Sequence, residues 1–534
     1  MPGYLELLDL PRPASGWRLV SRDGVRPFSA GGRELLEVSD DALALLAGEA
    51  FRDISFLLRP AHNAQVAAIL ADAAASPNDR YMAWCLLENA AIAADFELPF
   101  CQDTGTACVI ARKGAGVLTS GGDAAALAAG AARAYATENL RLSQLLPLDM
   151  YAERNSGDNL PAQADIHAGP GLAYDFLFIA KGGGSANRTA LFQEAPALLK
   201  PEALKPFLAE KLRALGTSAC PPYHAVFVIG GTSPETCLEA VKLGSAGALD
   251  DMPFSPPPGG GPFRDADLEA WLAEASRGFG PGAQFGGTHF VHDVRVFRLP
   301  RHAASLPIGL GVSCSADRAA LGRIDQDGVW LEELDRDPAR FLTPELRAEF
   351  SGRGSAVPVN LDRPMAEVRA QLAGLKPGTR LALSGRLIAA RDAAHARFMR
   401  LTEEGKPLPK YLFDHPVYYA GPARQPAGLP CGSFGPTTAG RMDAYAGALM
   451  SRGAALVTLA KGGRSEAFRS ACRAHGGFYL GSPGGPAALI ARHIKSAKVI
   501  DYPDLGMEAV RELEVADMPA FLLMDDKGSC LYDR

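Results

Sequence analysis

Short apolar runs that stop abruptly in glycine turns recur from residue 101 onward, and they constrain the fold of this chain more than any other feature. The run 174–180 enters Lys181-Gly182-Gly183-Gly184-Ser185-Ala186-Asn187, and the run 225–229 ends at Gly230-Gly231-Thr232. Runs of this length between helical segments read as strands of an α/β fold. Their Gly-rich ends expose backbone N–H groups and suit anions. A further strand is expected at 107–112 and an Ala-rich helix at 122–139.

Ahead of this region, 39–95 reads as three helices. Ser39-Asp40 caps the first, with Leu43, Leu46, Phe51 and Ile54 at near-helical spacing. Pro60 is expected to break it, and the next helices are expected at 63–75 and 79–94. The segment 255–262 is too rich in Pro and Gly for regular structure and reads as a surface loop. The polar stretch 335–356, with Pro338, Pro344, Gly352 and Gly354, reads as a linker. Beyond it strand and helix alternate: 380–390 with 392–402, 454–459 with 464–475, and 477–480 with 486–494. A chain of 534 residues exceeds one core. The expectation is α/β overall: an α+β domain over 1–334 with a helical N-terminal part, a linker at 335–356, and an α/β domain over 357–534.

Hydrophobic residues make up 47% and charged residues 21%, the balance of a globular enzyme. The formal net charge of −6 gives no reason to expect nucleic acid as a partner, and an anionic substrate needs locally clustered Arg and Lys. Nine cysteines are too sparse for a disulfide scaffold and fit a reducing compartment. No apolar run approaches the ~20 residues of a membrane span. The segment Met1–Glu6 has neither the pattern of a secretory signal nor that of a mitochondrial presequence, so the cytoplasm is expected.

Three cysteines stand apart from the rest. Cys101 lies in Cys101-Gln102-Asp103-Thr104-Gly105, Cys220 in Cys220-Pro221-Pro222, and Cys314 in Ser313-Cys314-Ser315-Ala316-Asp317-Arg318. About a hundred residues separate each from the next, so spacing alone is weak evidence for a metal, and a free Cys is more often a small buried hydrophobe. Cys85, Cys108, Cys237, Cys431, Cys472 and Cys530 keep that reading. The three in polar turns can instead hold three corners of an iron–sulfur cube, leaving one iron open as a Lewis acid. Among basic residues, Arg141 ends a helical stretch, while Arg391, Arg441 and Lys461 stand at strand ends or Gly turns, where open α/β sheets place ligands. Convergent Arg and Lys suit carboxylates. Asp103 can shuttle a proton or simply close an Asx turn. Thr437 and Thr438 can cap a helix. His302 reads as an ordinary hydrogen-bonded histidine.

Taken together these segments resemble class I fumarate hydratase, the iron–sulfur fumarase, in its long single-chain form. The resemblance runs over nearly the whole chain. It rests on the motifs at Cys101–Thr106, Ala180–Asn187, Gly230–Ser233, Gly282–Gly287, Gly311–Arg318 and Gly435–Asp443. It implies a [4Fe–4S] cluster on Cys101, Cys220 and Cys314, and a C-terminal domain that swivels to close over a small dicarboxylate, in a homodimer. It implies that Gln102, Arg141, Gly184, Arg391, Arg441 and Lys461 contact the substrate, with His302 and Thr438 nearby, and that Asp103 and Thr437 form the acid–base pair. The expected reaction is reversible hydration of fumarate to L-malate. The rivals are a related hydro-lyase acting on tartrate or mesaconate and, from another class, a non-enzymatic iron–sulfur redox protein.

Overall fold

The computed structural model describes residues 9–351 and 354–533; Met1–Glu6 and Gly352 lie outside the described residues. Three helices open the helical part: Asp40–Phe56, Pro60–Ala71 and Pro77–Ala93. Ser39 Oγ accepts from the Ala42 N–H at 3.2 Å and caps the first, as expected. Leu43, Leu46, Phe51 and Ile54 are all buried, against helix Asp123–Thr137 and a sheet. The second helix starts at Pro60, not at 63. Proline fits the first helical position because the N–H it lacks there would have no partner.

Two sheets follow. Six strands run in the order Trp17–Ser21, Gly328–Glu332, Ala319–Asp325, Tyr174–Lys181, Thr106–Gly114 and Gln163–Gly169. Five run in the order Ala190–Glu194, Leu306–Ser313, Tyr223–Gly231, Val291–Arg301 and Phe263–Arg264. The strand Tyr223–Gly231 is buried along its whole length, as a near-continuous apolar run should be. The segment 255–262 forms neither helix nor strand and lies on the surface.

The C-terminal part is built on a seven-stranded sheet. Strands Val357–Asn360, Arg380–Ala389, Val417–Tyr418, Val457–Ala460 and Phe478–Gly481 are parallel neighbours. The long strand Val510–Met524 pairs with Arg380–Ala389 on one edge and with Ile494–Asp501 and Phe478–Gly481 on the other, so the sheet closes on itself. The stretch 335–356 carries a 3-10 turn at Pro338–Phe341 and a helix at Pro344–Phe350, and it buries Leu342 and Phe350.

One core cluster spans both parts of the chain. Met82, Leu86 and Phe285 pack with Tyr479, Phe521 and Leu523. The rings of Phe285 and Phe521 stack with centroids 4.0 Å apart. The glycine motif that presents Phe285 wraps a single carboxylate. Asp79 completes a capping box at the third helix and accepts from the Ala283 N–H at 2.7 Å and the Thr288 N–H at 2.8 Å. A Cβ on Gly287 would fall 1.9 Å from Asp79 Oδ2, which is why glycine stands there.

Candidate active site

Each of the three singled-out cysteines sits at the edge of a strand or helix. Cys101 follows Phe100 in the turn before strand Thr106–Gly114, Cys220 precedes strand Tyr223–Gly231, and Cys314 directly follows strand Leu306–Ser313. Cys220 holds a left-handed backbone, φ 66°, unusual for a residue with a side chain. All three thiols are free, and they lie close enough to act on one another electrostatically. The Ser315 N–H donates to the Cys220 carbonyl at 3.1 Å, tying two of the turns together. Burial pushes the Cys101 thiol up, and the Cys220 thiol to about 11, against the pull of nearby Arg318 and Lys461 respectively. A bound metal ion would ionise thiols in this state. Cys85, Cys237, Cys431 and Cys472 are buried; Cys108 and Cys530 are half-buried.

The C-terminal sheet delivers cations over these turns. Arg391 and Lys461 follow the carboxyl ends of parallel strands Arg380–Ala389 and Val457–Ala460. Lys461 Nζ reaches 3.0 Å from Cys220 Sγ. Gly184, in the short helix Gly183–Ala186, lies against the same ammonium: a Cβ there would stand 3.6 Å from Lys461 Nζ. Thr438 bridges to Lys461 in parallel register, and Thr437 accepts from the Lys461 N–H at 3.2 Å. Neither threonine caps a helix through its side chain among the described residues. Thr437 Oγ1 instead accepts from Arg441 Nη1 at 3.2 Å. Gln102 is buried and donates to the Pro436 carbonyl at 3.3 Å.

Asp103 does not close an Asx turn on its own loop; Oδ2 accepts from the Gly183 N–H at 2.8 Å, and Arg318 Nη1 donates to its carbonyl at 2.7 Å. Burial works to raise its pKa, but Arg141, Arg318, the Gly183 N–H and Lys461 outweigh burial and hold it below the usual carboxylate range. Arg391 is brought down to about 10, first by burial and then by repulsion from Arg141, despite its ion pair with Glu508. Arg141 lies beyond helix Asp123–Thr137 rather than at its end, and its buried Nε has no hydrogen-bond partner among the described residues. Guanidinium groups crowded in this way favour an anion among them.

His302 is not brought to this group. It is exposed, in the turn between Val291–Arg301 and Leu306–Ser313. The strand Leu306–Ser313 separates it from Cys314 by roughly 25 Å at a rise of about 3.4 Å per residue. Two residues were not singled out from sequence. Arg318 is buried and fixes the Asp103 backbone. Gln284, φ 97°, donates to the Pro221 and Gly484 carbonyls and accepts from the Gly484 N–H at 2.8 Å. It thereby clamps the Cys220 turn to the C-terminal sheet. Both stand inside the glycine and cysteine motifs, and membership of those motifs was the available signal.

The residues fit an iron–sulfur group by donor chemistry: three free thiols from three separate turns, with cations beside them. The fit extends to shape, since a Cβ on Gly484 would fall 2.5 Å from Cys220 Sγ.

This is a mixed α/β architecture with a partly buried, cation-rich thiol site between its two parts. The family model described as Fumarate hydratase (Fumerase) matches residues 45–323, and that described as Fumarase C-terminus matches residues 328–534. The anaerobic class I fumarate hydratase of Escherichia coli K12 is 53% identical over 517 residues, covering 97% of this chain and 94% of that one. The aerobic class I enzyme of the same strain is 52% identical over 532 residues, covering 99% and 97%. The mitochondrial fumarate hydratase 1 of Leishmania major is 50% identical over 522 residues, covering 97% and 95%. The chain belongs to the class I fumarate hydratase family, in its long single-chain form.

Proposed function

We propose that this protein adds water reversibly across the double bond of fumarate to give L-malate. The observation that carries the reading is the meeting of Lys461 with Cys220, which brings the cationic strand ends of the C-terminal sheet onto the thiol turns. Cys101, Cys220 and Cys314 would hold a [4Fe–4S] cluster. When bound through three thiolates, such a cluster supplies a Lewis-acidic iron that lowers the pKa of water.

The remaining chemistry belongs to side chains. Both carboxylates of fumarate are ionised, which makes the alkene a poor electrophile. Arg141, Arg391, Arg441 and Lys461, with Gln102, Gly184 and Thr438, bind and neutralise them. Negative charge that builds on a carboxylate as hydroxide adds to one carbon is stabilised by those cations. The neighbouring carbon gains the proton. Asp103 and Thr437 are the proposed acid–base pair. Asp103 is ionised at neutral pH, and Thr437 is oriented by Arg441.

In this reading the domains are 1–334, which holds the cluster, a linker at 335–356, and a swivelling 357–534 that closes over the substrate. The working form is a homodimer. His302 enters the site only if a second copy presents it, because its own chain holds it a strand's length away. No helix among the described residues is long and apolar enough to cross a membrane, and nine free thiols suit a reducing compartment such as the cytoplasm. The test is anaerobic reconstitution with iron and sulfide, followed by loss of fumarate absorbance before and after air exposure. Equal activity in metal-free protein would end the reading.

A further inference from the structure

Strand Val291–Arg301 begins with a bulge: Tyr223 pairs with Val291 but His224 pairs with Asp293, so His292 is the extra residue. In a regular strand His292 and Asp293 would face opposite sides; the bulge lets both reach His224. Asp293 Oδ2 lies 2.8 Å from His224 Nδ1, and the rings of His224 and His292 have centroids 5.1 Å apart. His62, from the first turn of helix Pro60–Ala71, completes the figure, with its centroid 5.2 Å from His224 and 5.2 Å from His292. One ring nitrogen from each lies within 4.8 Å of the other two.

We propose that His62, His224 and His292 form a second metal site, separate from the three cysteines, that takes one divalent transition ion of the zinc class. A zinc–nitrogen distance of about 2.05 Å and a tetrahedral angle place imidazole centroids roughly 5.2 Å apart, the spacing of this triangle. The His224 Nδ1 bond to Asp293 leaves Nε2 as the ligand atom, a carboxylate–histidine arrangement that orients the ring and raises its basicity. His62 Nδ1 stands 3.0 Å from that Nε2. The gap needs to open by only ~0.3 Å to match two nitrogens on one tetrahedral ion.

A hydrogen-bonded relay without an ion accounts for less. A protonated His224 can donate to Asp293 and to His62, but His292 Nε2 stays buried with no hydrogen-bond partner among the described residues. An ion gives it one. The buried carboxylate of Asp317 adds negative charge beside the trio. Two clefts give access. One, of about 400 Å³, is lined by His62, His224 and Asp317; the other, of about 450 Å³, by His289 and His292; and Gln65 lines both.

The test uses the anaerobically purified, cluster-bearing protein, dialysed and titrated with Zn²⁺ or Co²⁺ alone. One equivalent should bind saturably with iron content unchanged. Bound Co²⁺ should show the visible bands of a tetrahedral nitrogen site without sulfur-to-cobalt charge transfer. His292→Ala should weaken binding by about 30-fold or more, and Asp293→Asn by about 10-fold or more. If His292→Ala fails to fold, His292→Gln, checked by circular dichroism, takes its place. Absence of saturable uptake, a thiolate-only cobalt spectrum, or wild-type affinity in the folded His292 variant would overturn the site.

Discussion

Lys461 Nζ lies 3.0 Å from Cys220 Sγ, although the two residues are 241 positions apart and flank strands of different sheets. One contact therefore links the geometry of a thiol turn to the position of the C-terminal sheet. Gln284 reinforces it by bonding Pro221 and Gly484 together, and Asn89 Oδ1 does the same for the helix after Gly484, accepting from the Ala488 N–H at 2.8 Å.

Lys461→Met keeps the stem but removes the charge. In the proposed reaction it should cut kcat/KM for fumarate by about 10–100-fold, since a charge-assisted bond contributes about 1.5–3 kcal/mol. Iron and sulfide content should stay at the wild-type level. Steady-state hydration assays with iron analysis check this, and near-normal turnover would remove Lys461 from the site.

Arg441 is half-exposed, held by Asp392 at 2.8 Å and by Thr437 Oγ1 at 3.2 Å. In the proposed reaction Arg441→Ala should lower turnover by about 10–100-fold while leaving cluster absorbance intact, because the residue would act on substrate and on Thr437 rather than on the thiols. Wild-type activity would show that the C-terminal sheet does not cover the site in the way proposed.

The strand ends and the cysteine turns were legible in sequence because glycine and proline punctuate them. The three opening helices, the 255–262 loop and the C-terminal alternation follow the same local chemistry. What was not legible depends on distant pairing. The closure of the C-terminal sheet rests on Val510–Met524, which no periodicity ties to Arg380–Ala389. The burial of Leu342 and Phe350 shows only when a tertiary partner exists. Gln284 and Arg318 look like ordinary polar residues until their partners, Gly484 and Asp103, are brought to them. His302 illustrates the reverse: the family resemblance singles it out, yet its own chain carries it away from the thiols.

A Cβ at position 484 would meet Cys220 Sγ at 2.5 Å and Lys461 Cδ at 3.1 Å. Gly484→Ala should therefore displace the thiol turn at a cost of about 1–3 kcal/mol and lose iron and activity together. Gly447→Ala is the control, since its Cβ meets only Ala471 Cβ at 4.0 Å. Iron per chain and thermal unfolding, measured side by side, separate the two. Full iron loading in Gly484→Ala would show that the turn has room to move.

His395 gives the protein an acid-sensitive core. Its ring is fully buried among Phe398, Tyr419 and Tyr445, and Nδ1 lies 2.9 Å from the Arg391 carbonyl. Burial lowers its pKa to about 4 from 6.5. The unfolded chain therefore binds a proton that the folded chain refuses between those values, so stability falls as pH drops from about 6.5 toward 4 and does not change on this account above 7. Lowering pH from about 7 to 5 should cost about 2 kcal/mol through this one group. His395→Gln keeps a polar group near the Arg391 carbonyl but cannot titrate. Whatever its stability at neutral pH, urea unfolding under anaerobic conditions should show a shallower acid limb than wild type by about that amount. Parallel curves for the two proteins would mean that acid unfolding begins elsewhere in the molecule.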